Sequence, residues 1–167
     1  MKKLYYKLVI VFLFLYSAYS QTFTIQEVPN SSLSDNTTRP SVYGNSIAWH
    51  DGTYNGNLFY WDGSSKQTIS SNCFGGDISL HDGKIAYQAN AGTNNGTRVY
   101  LWDGFNNINI SGELWAGRLS LDNSSIAFSG YDGDGHELYY WSENSTVKLT
   151  DGVCGTPIPS LHNGKIA

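Results

Sequence analysis

An internal repeat constrains this chain more than any other feature. A pair of isoleucine and alanine recurs along it, and the isoleucine stands at Ile47, Ile85, Ile126 and Ile166, at intervals of 38, 41 and 40 residues. A tryptophan that follows an apolar run recurs in step with this pair, at Trp61, Trp102 and Trp141. Two markers that share one period predict a tandem array of one supersecondary unit.

Each repeat divides into four short predicted β-strands, which we name A to D in chain order. Strand A ends five residues before the isoleucine of strand B, and central pairs such as Asp82-Gly83 and Asn163-Gly164 lie between the two strands. Such pairs tolerate positive φ and predict two-residue hairpins. Strand C ends at the tryptophan. Stretches such as Leu138-Tyr139-Tyr140-Trp141 are apolar at successive positions, which predicts that both faces of the sheet are buried.

A four-stranded antiparallel meander of about 40 residues, repeated in tandem, is the blade of a β-propeller. The predicted fold class is therefore all-β, an incomplete propeller built from such blades. The predicted blades are residues 39–70, 77–111 and 118–150, with part of a fourth at 157–167. Because a closed ring needs at least about four blades, we expect this chain to be an amino-terminal fragment of a longer protein.

Residues 1–20 have the three-part layout of a secretory signal peptide. Lysines 2, 3 and 7 precede the apolar run Leu8–Leu15, and small residues precede a predicted cleavage site before Gln21. The run is shorter than the ~20 residues that span a bilayer, so no membrane insertion is expected after cleavage. This predicts a secreted protein or one of the cell envelope, in the periplasm or at the cell surface.

Residues 21–38 are predicted to form an amino-terminal strand and a linker. The segment Thr22–Val28 alternates with period two, like a strand D that has no preceding A, B or C. Our hypothesis is that this strand completes the last blade of the ring.

The charge of the chain argues against nucleic acid as a partner. After residue 20 there are 7 Lys and Arg against 14 Asp and Glu, which gives a net charge of −7 and no basic stripe. The sequence also has no Gly-x-Ser-x-Gly elbow, no His-Glu-x-x-His pair and no phosphate loop. The residues present therefore favour a protein without catalytic activity of its own.

The best single copy of the repeat runs from Arg39 to Gly63, with a proline, Ile-Ala-Trp and Trp-Asp-Gly in order. This pattern resembles TolB-like and related bacterial cell-surface propeller repeats, over roughly residues 39–167. The third copy departs from it at Ser142-Glu143, where Asp-Gly is expected. The resemblance implies a binding scaffold in a cell-envelope or surface protein, and some propellers of this kind sit beside peptidase or lyase domains.

In a propeller the D–A and B–C loops share one face, which we call the D–A/B–C face. Those loops are the longer and more varied ones here, so this face is the predicted binding face. Phe74 and Trp115 each lie 11 residues before the isoleucine, near the expected mouth of the channel. With Tyr54 and Tyr131 they are the predicted ligand contacts, because aromatic rings stack on sugars and peptide side chains. The alternative is that they only fill gaps between blades.

Two further features leave alternatives open. Asp132 and Asp134 stand in a glycine-containing acidic loop that resembles part of a calcium site, although a solvated Asp-Gly turn explains it too. No metal or other cofactor is predicted, and calcium is kept as the alternative. Cys73 and Cys154 are equivalent residues two blades apart. A disulfide needs their Cα atoms within ~7 Å, so their pairing stays open.

The predicted function is that of an exported, non-enzymatic binding or scaffold module that recognises a protein or a glycan through the D–A/B–C face. The alternative is the propeller domain of a larger secreted hydrolase, either a peptidase or a polysaccharide-active enzyme, whose catalytic part lies beyond Ala167. The sequence leaves the oligomeric state open.

Overall fold

The computed structural model describes residues 39–52, 55–92, 96–152 and 155–167. Within these ranges the chain is built from antiparallel β-strands and contains no helix, as the repeat predicts. It follows that no described segment is a helix that could cross a bilayer. The predicted signal peptide at 1–20 and the predicted strand at 22–28 lie outside the described residues.

The strands follow the blades in chain order. Blade one comprises β1 (Ser41–Tyr43), β2 (Ser46–His50), β3 (Gly56–Trp61) and the first part of β4 (Lys66–His81). Blade two comprises the second part of β4, β5 (Lys84–Asn90), β6 (Thr97–Trp102) and β7 (Asn107–Asn109). Blade three comprises β8 (Trp115–Asp122), β9 (Ser125–Tyr131), β10 (His136–Ser142) and β11 (Ser145–Lys148). The hairpin of β12 (Leu161–His162) and β13 (Lys165–Ile166) begins a fourth blade.

Strand β4 joins the first two blades without a break. The sequence predicts a loop at residues 71–76, but the strand continues through it because Cys73 pairs both with Gly56 of β3 and with Ala89 of β5. Register shifts interrupt the ladder on both sides of this point, and such bulges let a strand bend. Blades one and two therefore form one seven-stranded sheet, in the order β1 to β7.

The predicted hairpins between strands A and B are confirmed. At the turn of blade two Asp82 and Gly83 have φ of 46° and 72°, and at the turn of blade four Asn163 and Gly164 have φ of 49° and 70°. Two successive residues with positive φ give the turn whose twist matches the flanking strands.

The core lies between the blades, as the apolar runs predict. Five successive residues at the centre of β5, and five at the centre of β9, are buried, so these strands are covered on both faces. One cluster packs blade one against blade two through Leu58, Tyr60 and Tyr87. A second cluster packs blade two against blade three. Full burial of one large apolar side chain stabilises the fold by ~1.5–3 kcal/mol.

A repeated hydrogen bond joins the A strands of neighbouring blades. The hydroxyl oxygens of Ser41, Ser79 and Ser120 accept from the backbone N–H groups of Leu80, Leu121 and Leu161, at 2.9, 3.0 and 3.0 Å respectively. We call this row the serine seam. Each serine precedes the last apolar residue of its own strand A, so one position of the repeat fixes the spacing of the blades.

Replacing Ser79 by alanine tests the serine seam. We expect the free energy of unfolding to fall by about 1 kcal/mol, because the N–H of Leu121 loses its acceptor in a partly buried seam. The measurement is urea denaturation followed by tryptophan fluorescence. Ser145, which is exposed on β11, is the matched control, and its alanine variant should unfold like the parent. Equal stability of the two variants would contradict a role for the seam.

Candidate functional site

A cavity of about 410 Å³ opens at the D–A/B–C face, where blades two and three meet the segment that enters blade four. Phe74 and Trp115 both line it, together with Thr156 from that segment. The structure thus brings together two residues that lie 41 positions apart in the sequence. Their role as ligand contacts stays a prediction.

Trp115 lies at the first residue of β8, and 52% of its surface is exposed. Its ring packs over Gly96, where an added Cβ would lie 3.0 Å from the indole. The ring centroid of Tyr131 is 6.1 Å from that of Trp115 and 5.3 Å from that of His136. These three rings form a row, and its two outer members, Trp115 and His136, line the cavity. Tyr54, the fourth predicted contact, lies outside the described residues.

One repeat position, three residues after the isoleucine, holds a buried polar residue in each of the first three blades. His50, Gln88 and Ser129 occupy it and are 0%, 9% and 1% exposed. This row is not evident in the sequence, because the three residue types differ.

The first two members of the row bridge to the segment that enters the next blade. His50 Nδ1 accepts from the N–H of Gly52 at 3.0 Å, so Nε2 carries the proton and donates to the carbonyl of Cys73 at 3.2 Å. Gln88 Oε1 accepts from the N–H of Asp77 at 3.1 Å, and its Nε2 donates to the carbonyl of Ala116 at 3.2 Å.

Gln88 fits between the blades because both facing positions are glycine. A Cβ at Gly76 would lie 1.6 Å from Gln88 Oε1, and a Cβ at Gly117 would lie 2.3 Å from Gln88 Nε2. Either side chain would displace the amide from its hydrogen bonds. The glycines are therefore required for the bridge.

Ser129, the third member, forms no bridge. Its hydroxyl is buried and has no hydrogen-bond partner among the described residues, although the large majority of buried polar groups are paired. Ser129 is among the residues that line the cavity. Where the first two blades carry a long bridging side chain, blade three has a short one beside this cavity.

The ionisable side chains of the residues that line the cavity are basic. Arg118 and His136 line it, and no aspartate or glutamate does so among the described residues, in a chain with a net charge of −4. Arg118 stands at the bulge of β8 with φ of 38°. Among the described residues, the carboxylate that lies within 4 Å of its guanidinium is that of Asp77, at 3.8 Å.

The acidic loop of blade three is held by a lysine. Asp132 Oδ2 accepts from Lys148 Nζ at 2.9 Å, and its Oδ1 accepts from the N–H of Asp134 at 3.2 Å. These bonds, the lysine first, hold the pKa of Asp132 at about 2. Within the described ranges no group of three or more His, Cys, Asp or Glu has the geometry of a metal site. Binding of calcium by Asp132 and Asp134 stays a prediction.

Cys73 is fully buried where β4 passes between blades and is the one cysteine among the described residues. Its Sγ lies 3.1 Å from the carbonyl oxygen of Gln88. Burial, with a smaller contribution from the charge of Asp51, raises the pKa of the thiol to about 12, which makes it a poor nucleophile at neutral pH. The predicted choice between pairing with Cys154 and separate thiols lies outside the described residues, since Cys154 does.

The sequence matches no protein-family model and no curated protein. The structure resembles the β-propeller domain of the trilobed protease from Pyrococcus furiosus, with a TM-score of 0.51, 10% identity and coverage of 70% of this chain and 40% of that one. It also resembles Pyrococcus horikoshii acylaminoacyl peptidase, with a TM-score of 0.57, 12% identity and coverage of 75% of this chain and 22% of that one.

An acylaminoacyl peptidase in complex with Z-Gly-Gly-Phe-chloromethyl ketone is similar to the same degree, with a TM-score of 0.55, 12% identity and coverage of 75% and 22%. The chain therefore spans 40% of the first of these chains and 22% of the other two. The similarity confirms the propeller fold, here as a partial propeller. A TolB-like relationship stays a prediction.

Proposed function

We propose that this chain is the propeller part of a larger exported hydrolase of the peptidase type, and that its D–A/B–C face binds the substrate. The observation that carries the proposal is the likeness of its blades to the propeller domain of a protease and to acylaminoacyl peptidases. The catalytic groups would lie in a part of the protein beyond these blades.

The cavity supports a binding role for this face. Ligand pockets measure about 300–1,000 Å³ and combine aromatic walls with a few polar groups. The cavity here has a volume of about 410 Å³ and is lined by Phe74 and Trp115 together with Gln88 and Arg118. It therefore accepts a group of the size of one or two amino-acid side chains.

Hydrolysis by the complete protein tests the proposal. We expect a mixture of synthetic peptides to be cleaved, with the products identified by mass spectrometry. We also expect Z-Gly-Gly-Phe-chloromethyl ketone to inhibit that cleavage, since a structural neighbour was solved in complex with this compound. A complete protein that consists of further repeats and leaves every peptide intact would overturn the proposal.

The second candidate is a non-enzymatic module of the cell envelope that binds a glycan. The row formed by Trp115, Tyr131 and His136 at the rim favours it, because exposed rings stack on sugars. A glycan array probed with the complete protein and with its Trp115→Ala variant separates the two candidates. Glycan binding that the variant loses, without cleavage of any peptide, would favour this second function.

A further inference from the structure

We propose that the cavity beside Ser129 binds a peptide segment bearing a carboxylate, and that the short side chain in blade three is what opens this site. Arg118 contacts the carboxylate, the Ser129 hydroxyl hydrogen-bonds the segment, and Phe74 and Trp115 contact its apolar part. This inference rests on the proposed function for its choice of a peptide and names the class of peptide that the site takes.

Blade three differs from the first two blades at the position three residues after the isoleucine. In the first two blades the position is filled by His50 and by Gln88, and both side chains close the gap by hydrogen-bonding the segment that enters the next blade. Ser129 is too short to do the same, and its hydroxyl is buried without a hydrogen-bond partner in the part of the chain that the structure describes. A buried hydroxyl left unpaired costs free energy. A ligand that forms a hydrogen bond with this hydroxyl therefore gains binding free energy.

The cavity is lined by basic residues and is suited to an acidic ligand. Arg118 and His136 line the cavity, and the carboxylate of Asp77 near Arg118 is on a side chain that is 39% exposed. A guanidinium has five N–H donors, and a single contact at 3.8 Å leaves it able to bind a second carboxylate in the bidentate manner that arginine favours.

The remaining walls suit a peptide. Phe74 and Trp115 provide aromatic surface, and Gly75 lines the cavity as well, while Gly76 and Gly117 face the amide of Gln88. Gly75 has no side chain to hold a ligand away, so a main chain can approach the protein backbone closely there. An apolar side chain next to an acidic one would occupy the aromatic and the basic parts of the cavity together.

Two matched pools of acetylated and amidated hexapeptides test the proposal by calorimetric titration of the complete protein. The acidic pool carries an apolar residue followed by Glu or Asp at its centre, and the neutral pool carries Gln or Asn instead. We expect the acidic pool to bind at least about tenfold more tightly, the effect of one charge-assisted hydrogen bond. Arg118→Gln should abolish this preference. Arg39 occupies the same repeat position in blade one, and Arg39→Gln should leave the preference unchanged.

Ser129→Ala removes the unpaired hydroxyl and leaves the rest of the cavity in place. We expect it to weaken binding of both pools about fivefold, the effect of one neutral hydrogen bond, while the urea midpoint stays equal or rises, which separates loss of the site from loss of the fold. Equal binding of the two pools, no binding of either, or a preference that survives Arg118→Gln would overturn the proposal. Binding of oligogalacturonate in place of the acidic peptides would also overturn it, since the ligand would then be an acidic glycan.

The two proposals fail separately. If the acidic pool binds through Arg118 but the complete protein cleaves no peptide, the proposed hydrolase is wrong and the site remains. If peptides are cleaved but Arg118→Gln changes neither binding nor the preference for acidic substrates, the site is wrong and the hydrolase remains.

Discussion

Replacing Phe128 by alanine is expected to lower the free energy of unfolding by about 3–5 kcal/mol. The side chain is fully buried at the centre of β9, inside the cluster between blades two and three. Its ring stacks on Tyr139 with centroids 5.5 Å apart and an interplanar angle of 15°. Alanine would remove these contacts and leave a cavity that blades held on both sides cannot collapse to fill. Urea denaturation followed by tryptophan fluorescence measures the loss.

The chain provides a matched control in Phe105. This side chain is 91% exposed in the turn between strands C and D of blade two, and Phe105→Ala is expected to change stability by no more than about 0.5 kcal/mol. A loss of less than about 1 kcal/mol in Phe128→Ala would contradict tight packing between the blades. Typical domains are stable by only ~5–15 kcal/mol, so the expected loss is a large fraction of the total.

The strands and hairpins could be predicted because the repeat displays the same local chemistry several times. Turn pairs such as Asn163-Gly164 are specific in sequence, and the apolar runs could be aligned from one blade to the next. The continuity of β4 could not be predicted, because Ser71, Asn72 and the two glycines that follow are residue types typical of a loop. Its extension through this segment depends on Cys73 pairing with two other strands, and that is a tertiary effect.

The aromatic part of the site could be predicted because the repeat register places Phe74 and Trp115 at the same end of successive blades. The cavity itself could not be predicted, because it depends on a side chain, that of Ser129, which is too short to bridge to the next blade. This difference is visible only when Ser129 is compared with His50 and Gln88 at the same repeat position. The serine seam left a visible signal, since a serine precedes the last apolar residue of strand A in all four repeats. Serine usually indicates a surface position, and this hid its role.

Replacing Glu137 by alanine is the second change with a large expected effect. This carboxylate is only 2% exposed, at a position where a charged residue in a strand would ordinarily be expected to face water. Its Oε2 accepts from the hydroxyl of Thr150 and its Oε1 accepts from the N–H of Gly152, both at 2.7 Å. The hydroxyl oxygen of Thr150 accepts in turn from the N–H of Leu138 at 2.9 Å.

This network ties strand C of blade three to the segment that leads into blade four. Hydrogen bonds to a charged group contribute ~1.5–3 kcal/mol each, so Glu137→Ala should lower the free energy of unfolding by about 3 kcal/mol. Glu137→Gln keeps one acceptor oxygen but presents an NH₂ group to the second donor, so its loss should be smaller than that of alanine. Asp134→Ala removes an exposed carboxylate from the turn that precedes this strand and should be nearly neutral.

The two glutamate variants also show what the network does beyond stability. If it positions the entry to blade four, Glu137→Ala should increase amide hydrogen exchange at residues 155–162 more than at the serine seam of the first two blades. A uniform increase over all blades would mean that Glu137 stabilises the fold as a whole. An unchanged urea midpoint in Glu137→Ala would show that its two hydrogen bonds contribute no more than solvation of the same groups by water.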